Sequence, residues 1–160
     1  MSGVRIILLA IVVLGLGLGT GQAALLRLGY MLAGVVLVAA IWSAFAVRGF
    51  EVVRTAKRNR SQVGHVFTEQ LTVSNRSWLP RLWIEVHDHS TLPGHPKGRV
   101  LSFAGRGSLS WTVETPCRHR GAYRLGPVEL VGTDPFGLFR SRRLLDQTQE
   151  LLVYPAVVAL

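Results

Sequence analysis

The sequence predicts a two-helix transmembrane hairpin followed by an all-β, immunoglobulin-like sandwich of about seven strands. Three observations predict it. Apolar and charged residues are segregated: residues 1–47 contain no acid and two basic residues, Arg5 and Arg27, while the remaining 113 of the 160 residues hold all nine acids and sixteen of the eighteen Lys and Arg. The first segment contains two uncharged runs of membrane-spanning length. From Gly49 onward, apolar residues alternate with polar ones at the period of a half-buried strand.

The first run, "IILLAIVVLGLGLGTG", covers Ile6–Gly21 and extends through "QAALL" to Leu26. The second, "LGYMLAGVVLVAAIWSAFAV", covers Leu28–Val47. A span needs about 20 apolar residues at 1.5 Å each, and neither run alternates, so both are expected to be helices, at about 6–26 and 28–47. A cleavable leader is the competing reading of the first run, with Met1–Arg5 as its charged start and "GQA" as its cleavage site. The second run would still anchor the chain. Arg48, Arg54, Lys57, Arg58 and Arg60 follow the second helix, and Arg27 alone lies between the two. By the positive-inside bias, both ends of the hairpin and residues 48–160 are expected in the cytoplasm.

"GLGLGTG" superficially resembles a dinucleotide loop, but it closes an apolar helix and no acid follows until Glu51. Gly15 with Gly19 and Gly17 with Gly21 are better read as small residues on one helix face, met by Gly29/Ala33 and Ala40/Ala44. The expectation is packing within the hairpin, with homodimerisation through the helices as the alternative.

Residues 48–61 form a basic juxtamembrane segment and the first strand, and residues 62–160 the sandwich. Strands are expected near 50–56, 63–74, 82–88, 99–104, 108–115, 121–131 and 149–154, divided by turn signals such as "SNRSWLP" and "TLPGHPKG". The alternation assigns Phe67, Leu71, Val73, Leu82, Ile84, Val86, Leu109, Trp111, Val113, Tyr123 and Leu125 to the core. Cys117 is the one cysteine, so no internal disulfide forms, which fits a reducing compartment.

Little in the sequence supplies chemistry. His87 and His89 share one side of a strand, Asp88 points to the other, and His95 follows in a loop. A metal site built from His87, His89 and His95 in an extracytoplasmic binding sandwich is one alternative. A hydrolase using Cys117 and His119 is another, but no orienting acid or oxyanion loop accompanies them. There is no serine elbow, phosphate loop or carboxylate pair, and no enzyme activity or cofactor is expected. Residues 48–160 carry a net charge of +7. No aromatics interleave with the basic residues on one strand face, so an anionic lipid surface is the expected partner rather than nucleic acid. Arg54, Lys57, Arg58 and Arg60, with Arg140, Arg142 and Arg143, are expected to face lipid or a partner.

The stretch "GTDPFGLFRSRR", Gly132–Arg143, looks like a functional box. Its residue types make a turn: Asp134 can accept backbone hydrogen bonds as an Asx-turn, Pro135 sets φ, and Gly137 can take a positive φ. Phe136, Leu138 and Phe139 are then expected to bury and anchor it.

"RGAYRLGPVELVGTDPFGLFR" followed by "LLVYPAV" resembles the membrane family called domain of unknown function 58, as do the paired helices and "VGHVFTEQLTVSNRSWLP". The resemblance covers essentially the whole chain. It carries over a structural motif: Arg120, Gly121, Tyr123, Gly126 and Pro127, then Asp134, Pro135, Phe136, Gly137, Leu138 and Phe139. It implies work with a MoxR-type AAA+ ATPase in protein assembly or in cell-envelope and stress functions. Such proteins usually continue past "VYP" into a von Willebrand factor A-like domain, so the resemblance implies that this chain is the N-terminal portion of a longer protein or a truncated open reading frame. The expectation from sequence is a membrane-anchored, non-enzymatic interaction or scaffold module.

Overall fold

The computed structural model describes residues 2–56 and 58–155. These residues group into two compact units, one lying within 1–48 and 132–141, the other within 49–131 and 142–160.

In the first unit, helix α1 (Ser2–Thr20) and helix α2 (Ala23–Ala46) form a hairpin. At 1.5 Å per residue their lengths are about 28 and 36 Å, each close to or above the roughly 30 Å of a bilayer's hydrocarbon core. Both are long and apolar enough to cross a membrane. The glycines divide their work. A Cβ on Gly29 would lie 2.6 Å from Leu14 Cδ2, and one on Gly17 would lie 2.9 Å from the Leu26 backbone nitrogen. These two therefore let the hairpin close. Gly15 and Gly19 have nothing within 4 Å and play no part in it.

The second unit is a β-sandwich. Among the described residues the chain forms ten strands: β1 (Phe50–Ala56), β2 (Arg60–Gln62), β3 (Val66–Asn75), β4 (Arg81–Asp88), β5 (Gly98–Phe103), β6 (Ser108–Pro116), β7 (Gly121–Leu125), β8 (Val128–Thr133), β9 (Arg140–Leu145) and β10 (Gln149–Tyr154). They form sheets in the orders β1-β3-β6, β5-β4-β8-β9 and β2-β10-β7. The first two are the paired sheets of an immunoglobulin-like arrangement. Their facing surfaces meet at Phe50 and Phe103, whose rings stack edge-to-face at 5.1 Å. Val52, Leu71, Val73, Ile84, Val86, Val113 and Leu130 fill the space between them. A second cluster joins Phe67, Leu92, Cys117, Leu125, Leu151 and Val153.

The strands outnumber the seven expected for two reasons. The expected strand 121–131 divides at Gly126–Pro127 into β7 and β8, which join different sheets. Strands β2 and β9 are short or strongly basic and carry no apolar alternation, so nothing in their composition marks them.

The expected core also needs correction. A register shift interrupts β4 between Arg81 and Ile84, and Trp83 takes a φ of 53°. Such a bulge resets the parity of the strand. Leu82 is therefore 55% exposed, and Arg81 takes the buried place assigned to it, at 4% exposure. Leu109 is exposed because it lies toward the open end of β6, and Trp111 and Tyr123 are half-buried.

Candidate functional site

The ionisable groups that fold together lie inside the sandwich, on the inward faces of four elements. On β1, Phe50, Val52 and Arg54 share a parity; on β3, Phe67, Glu69, Leu71 and Val73 do; on β4, Ile84, Val86 and Asp88 do. The loop after β4 returns His95 to the same place. The Arg54 Nη1 donates to both Glu69 oxygens at 2.9 Å, and its Nη2 donates to Asp88 Oδ2 at 2.6 Å. The Arg54 side chain is 2% exposed and that of Glu69 0%. His95 Nε2 lies 3.1 Å from Asp88 Oδ2 and 3.6 Å from Glu69 Oε1. Ionised carboxylates only accept, so this ring nitrogen carries the hydrogen. His95 Nδ1 lies 3.1 Å from Thr115 Oγ1, and Ser90 closes the network by donating from Oγ and backbone N–H to Asp88 Oδ1.

Burial by itself pushes the Asp88 carboxyl up. The hydrogen bonds from His95 and Ser90 and the Arg54 charge outweigh it and hold the group well below the usual carboxylate range. A carboxyl lowered on folding stabilises the fold above its unfolded pKa of about 3.9, and that stability is lost as the pH falls toward the folded value. The urea midpoint should therefore fall as the pH drops below about 4. Asp88→Asn should flatten that acid limb while lowering the midpoint at neutral pH. An unchanged acid limb in Asp88→Asn would show that Asp88 does not carry the effect.

Beside this network opens a pocket of about 310 Å³. Leu71, Val86, Trp111 and Val113 form apolar walls, and Asp88, His95 and Glu114 contribute polar groups. The Arg99 guanidinium lies over the Trp111 ring, 5.8 Å from its centre. Glu69, Asp88 and His95 present three potential metal-ligand atoms within 4.8 Å of one another. Arg54 already occupies the cation's position against both carboxylates, so the arrangement works as a closed ion network. In this low-dielectric interior, its value lies in pairing Arg54 Nη1 and Nη2 with both carboxylates, while the Arg54 Nε stays buried without a partner.

The histidine trio of the metal-binding alternative does not form. His87 pairs with Glu85 at 3.1 Å and His89 with Glu129 at 3.0 Å, while His95 is buried in the network. Strand parity separates them: His87 and His89 point to the outer side of β4, and the partners of His95 lie on the inner side. Arg54 is likewise corrected from a surface contact to the centre of the ion network. Its signal was its position, two residues beyond Val52 on an alternating strand, just as Glu69 sits between Phe67 and Leu71.

The other basic residues fall in two places. Arg58 and Arg60 are exposed and line an open cleft of about 860 Å³ with His65, Val66 and Tyr154. Lys57 lies outside the described residues. Arg140, Arg142 and Arg143 are exposed, with Arg142 Nη1 4.0 Å from Glu129. Cys117 is buried with its Sγ 3.4 Å from Ser61 Oγ, whereas His119 is exposed, so the thiol belongs to the core.

The motif residues are structural in different ways. Arg120 is exposed before β7, Gly121 starts that strand, and the Tyr123 hydroxyl donates to the His119 carbonyl at 3.1 Å. Gly126 has a φ of +81°, and Pro127 follows it through a cis peptide bond. The box of residues 132–141 belongs to the helical unit. Asp134, 4% exposed, organises it: Oδ2 accepts from Phe136 N–H at 2.9 Å and Oδ1 from Phe139 N–H at 2.6 Å. Gly137 N–H closes the turn onto the Asp134 carbonyl at 3.0 Å. The turn rests on the helix ends. A Cβ on Gly3 would lie 2.7 Å from Leu138 O, and one on Gly132 would lie 2.8 Å from Ala46 Cβ. Leu138 and Phe139 are half-buried, but Phe136, expected to bury, is 54% exposed.

No protein-family profile matches the chain, and no curated protein matches it. Among solved structures, it is similar to a CARDB domain from Pyrococcus furiosus, crystallised in complex with di-metal ions. That likeness has 13% identity, covers 67% of this chain and 94% of that one, and has a TM-score of 0.49. The C-terminal domain of wzt is similar at 10% identity over 68% of this chain and 75% of that one, with a TM-score of 0.47. A beta-glucosidase from Listeria innocua in complex with glucose is similar at 12% identity, covering 68% of this chain and 16% of that one, with a TM-score of 0.42.

Proposed function

We propose that this chain is a membrane-anchored, non-enzymatic β-sandwich module of the domain of unknown function 58 type. It serves protein interaction or scaffolding with a MoxR-type AAA+ ATPase and other envelope proteins. The helix pair carries the reading. Leu8, Ile11 and Leu18 on α1 and Met31, Leu37 and Ile41 on α2 are all more than half exposed. In water this would be a large apolar patch needing cover, and lipid covers it at no cost in hydrogen bonds. The non-enzymatic part is supported by the ion network, in which Asp88 and His95 already spend their hydrogen bonds on Arg54, Ser90 and Thr115. Arg48 and the basic residues after it favour a cytoplasmic sandwich.

Reporter fusions after Leu160 test the anchoring and its direction together. A cytoplasmic reporter should be active and alkaline phosphatase inactive, and the fusion should stay in the membrane pellet at alkaline pH. Robust phosphatase activity overturns the orientation, and release by carbonate overturns the anchoring. Co-purification of the full chain with a MoxR-type ATPase tests the partner, and its absence in the presence of nucleotide counts against that assignment.

A further inference from the structure

The end of the sandwich at which the chain enters carries an unusual surface. Helix α2 ends at Ala46 and β1 begins at Phe50. Phe50 pairs with Asn75, and the Gly49 carbonyl accepts the Arg76 N–H at 2.8 Å. The segment that follows bears Trp78, Leu82 and Trp83, which are 75%, 55% and 63% exposed. It is held firmly. Asn75 Nδ2 donates to the Leu79 and Ala104 carbonyls, and Arg106 N–H donates to Ser77 O at 2.8 Å. The β4 bulge is what turns Leu82 and Trp83 both outward, and it does so with Trp83 at a positive φ that side-chain-bearing residues rarely adopt. A strand in simple alternation would have buried one of the two. The fold thus maintains two tryptophans and a leucine in solvent, on rigid backbone, at the end joined to a membrane-length helix.

We infer that this edge is a membrane-interface anchor: Trp78, Leu82 and Trp83 insert at the boundary between lipid headgroups and acyl chains. Tryptophan suits that layer, because its ring is apolar and its indole N–H is a donor that headgroups satisfy. The charge around it is compatible, since Arg106 is exposed beside the aromatics and Arg76, also exposed, is paired with Glu51 at 2.7 Å. The occupant is lipid, because the chain reaches this edge within three residues of the end of α2. The inference rests on the anchored reading above and adds a second attachment to it.

The native tryptophans provide the test. The full chain is reconstituted in phosphatidylcholine–phosphatidylglycerol vesicles, with or without lipids brominated on the acyl chain. In one variant, Trp42→Phe and Trp111→Phe leave Trp78 and Trp83 as reporters. In a second, Trp78→Phe, Trp83→Phe and Trp111→Phe leave Trp42, which lies within α2. Circular dichroism confirms that both retain the fold. Both variants should lose emission in brominated vesicles, and the Trp78/Trp83 variant should lose most when bromine lies near the glycerol end. Quenching of Trp42 without quenching of Trp78 and Trp83 overturns this inference and leaves the helix anchor standing. Unquenched but blue-shifted Trp78/Trp83 emission also overturns it, since the edge is then covered by protein. If Trp42 is not quenched, the anchored reading fails and this inference fails with it.

Discussion

Arg54→Met in the full chain, held in detergent, is expected to lower the unfolding free energy by about 3–5 kcal/mol, the range for removing one partner from a buried ion pair. Domains of ordinary stability have roughly 5–15 kcal/mol in all, so much of the population should unfold at modest urea. The loss comes from the groups left behind. Glu69 and Asp88 lose three hydrogen bonds and the one guanidinium between them, where the Glu69 side chain is fully buried and that of Asp88 is 7% exposed. Replacing Glu69 and Asp88 with Leu in the same chain should recover most of the loss, because the remaining surroundings include Leu71, Val86 and Val113. Arg81→Met makes the contrast. Arg81 is as buried as many core residues, its Nε, like that of Arg54, has no partner, and burial lowers its pKa. Removing that charge strands no carboxylate, so the variant should be neutral or more stable. Urea midpoints decide both cases. A loss under about 1 kcal/mol in Arg54→Met, the value typical of exposed pairs, would mean that the network is not what holds the two sheets in register.

Gly126→Ala is expected to cost on the order of 3 kcal/mol, combining a left-handed backbone with overpacking. The residue sits at φ +81°, and an added Cβ would overlap the Gln147 carbonyl oxygen and lie 3.2 Å from its carbon. Backbone is what it meets, so no side chain can swing aside. The effect should reach β7 and β10, which pair from Leu125↔Gln149 onward directly beside it. A thermal midpoint close to the parent's would show that the 146–149 segment yields to the methyl group. Gly137, whose φ is +68° but which has open space around it, should lose less on the same change.

The two expectations that followed from residue order alone agree with the fold. Long uncharged runs became helices, since nothing but a helix satisfies so many apolar residues' backbone groups internally. Alternating segments became strands of a sandwich. The box of residues 132–143 was legible as a turn for the same local reason: an Asp two residues before a backbone N–H makes the turn wherever it is placed. That it lies with the helix ends rather than with the sandwich was not legible, because no local pattern specifies which distant surface a turn will meet.

The candidate site shows the limit more sharply. The histidines are close in sequence, yet two of them face outward and pair with separate carboxylates. Arg54, Glu69, Asp88 and His95 are spread over 42 residues, and their association is a consequence of parity on three strands and the return of one loop. Parity was readable for Glu69, flanked by buried Phe67 and Leu71 at i±2, and for Arg54, which follows buried Val52 at i−2. It was not readable for Arg81 and Leu82, where a one-residue bulge reversed it.

By itself, then, the sequence determined the apolar helix pair, the β character of the rest and the turn chemistry of its box, because each depends on contacts within a few residues. Tertiary structure alone decided which charges are buried together, where the bulge turns Leu82 and Trp83 into solvent, and which surfaces the box touches. Those outcomes are set by pairing between strands distant in the chain, where one residue of register exchanges the inside of the sandwich for its outside.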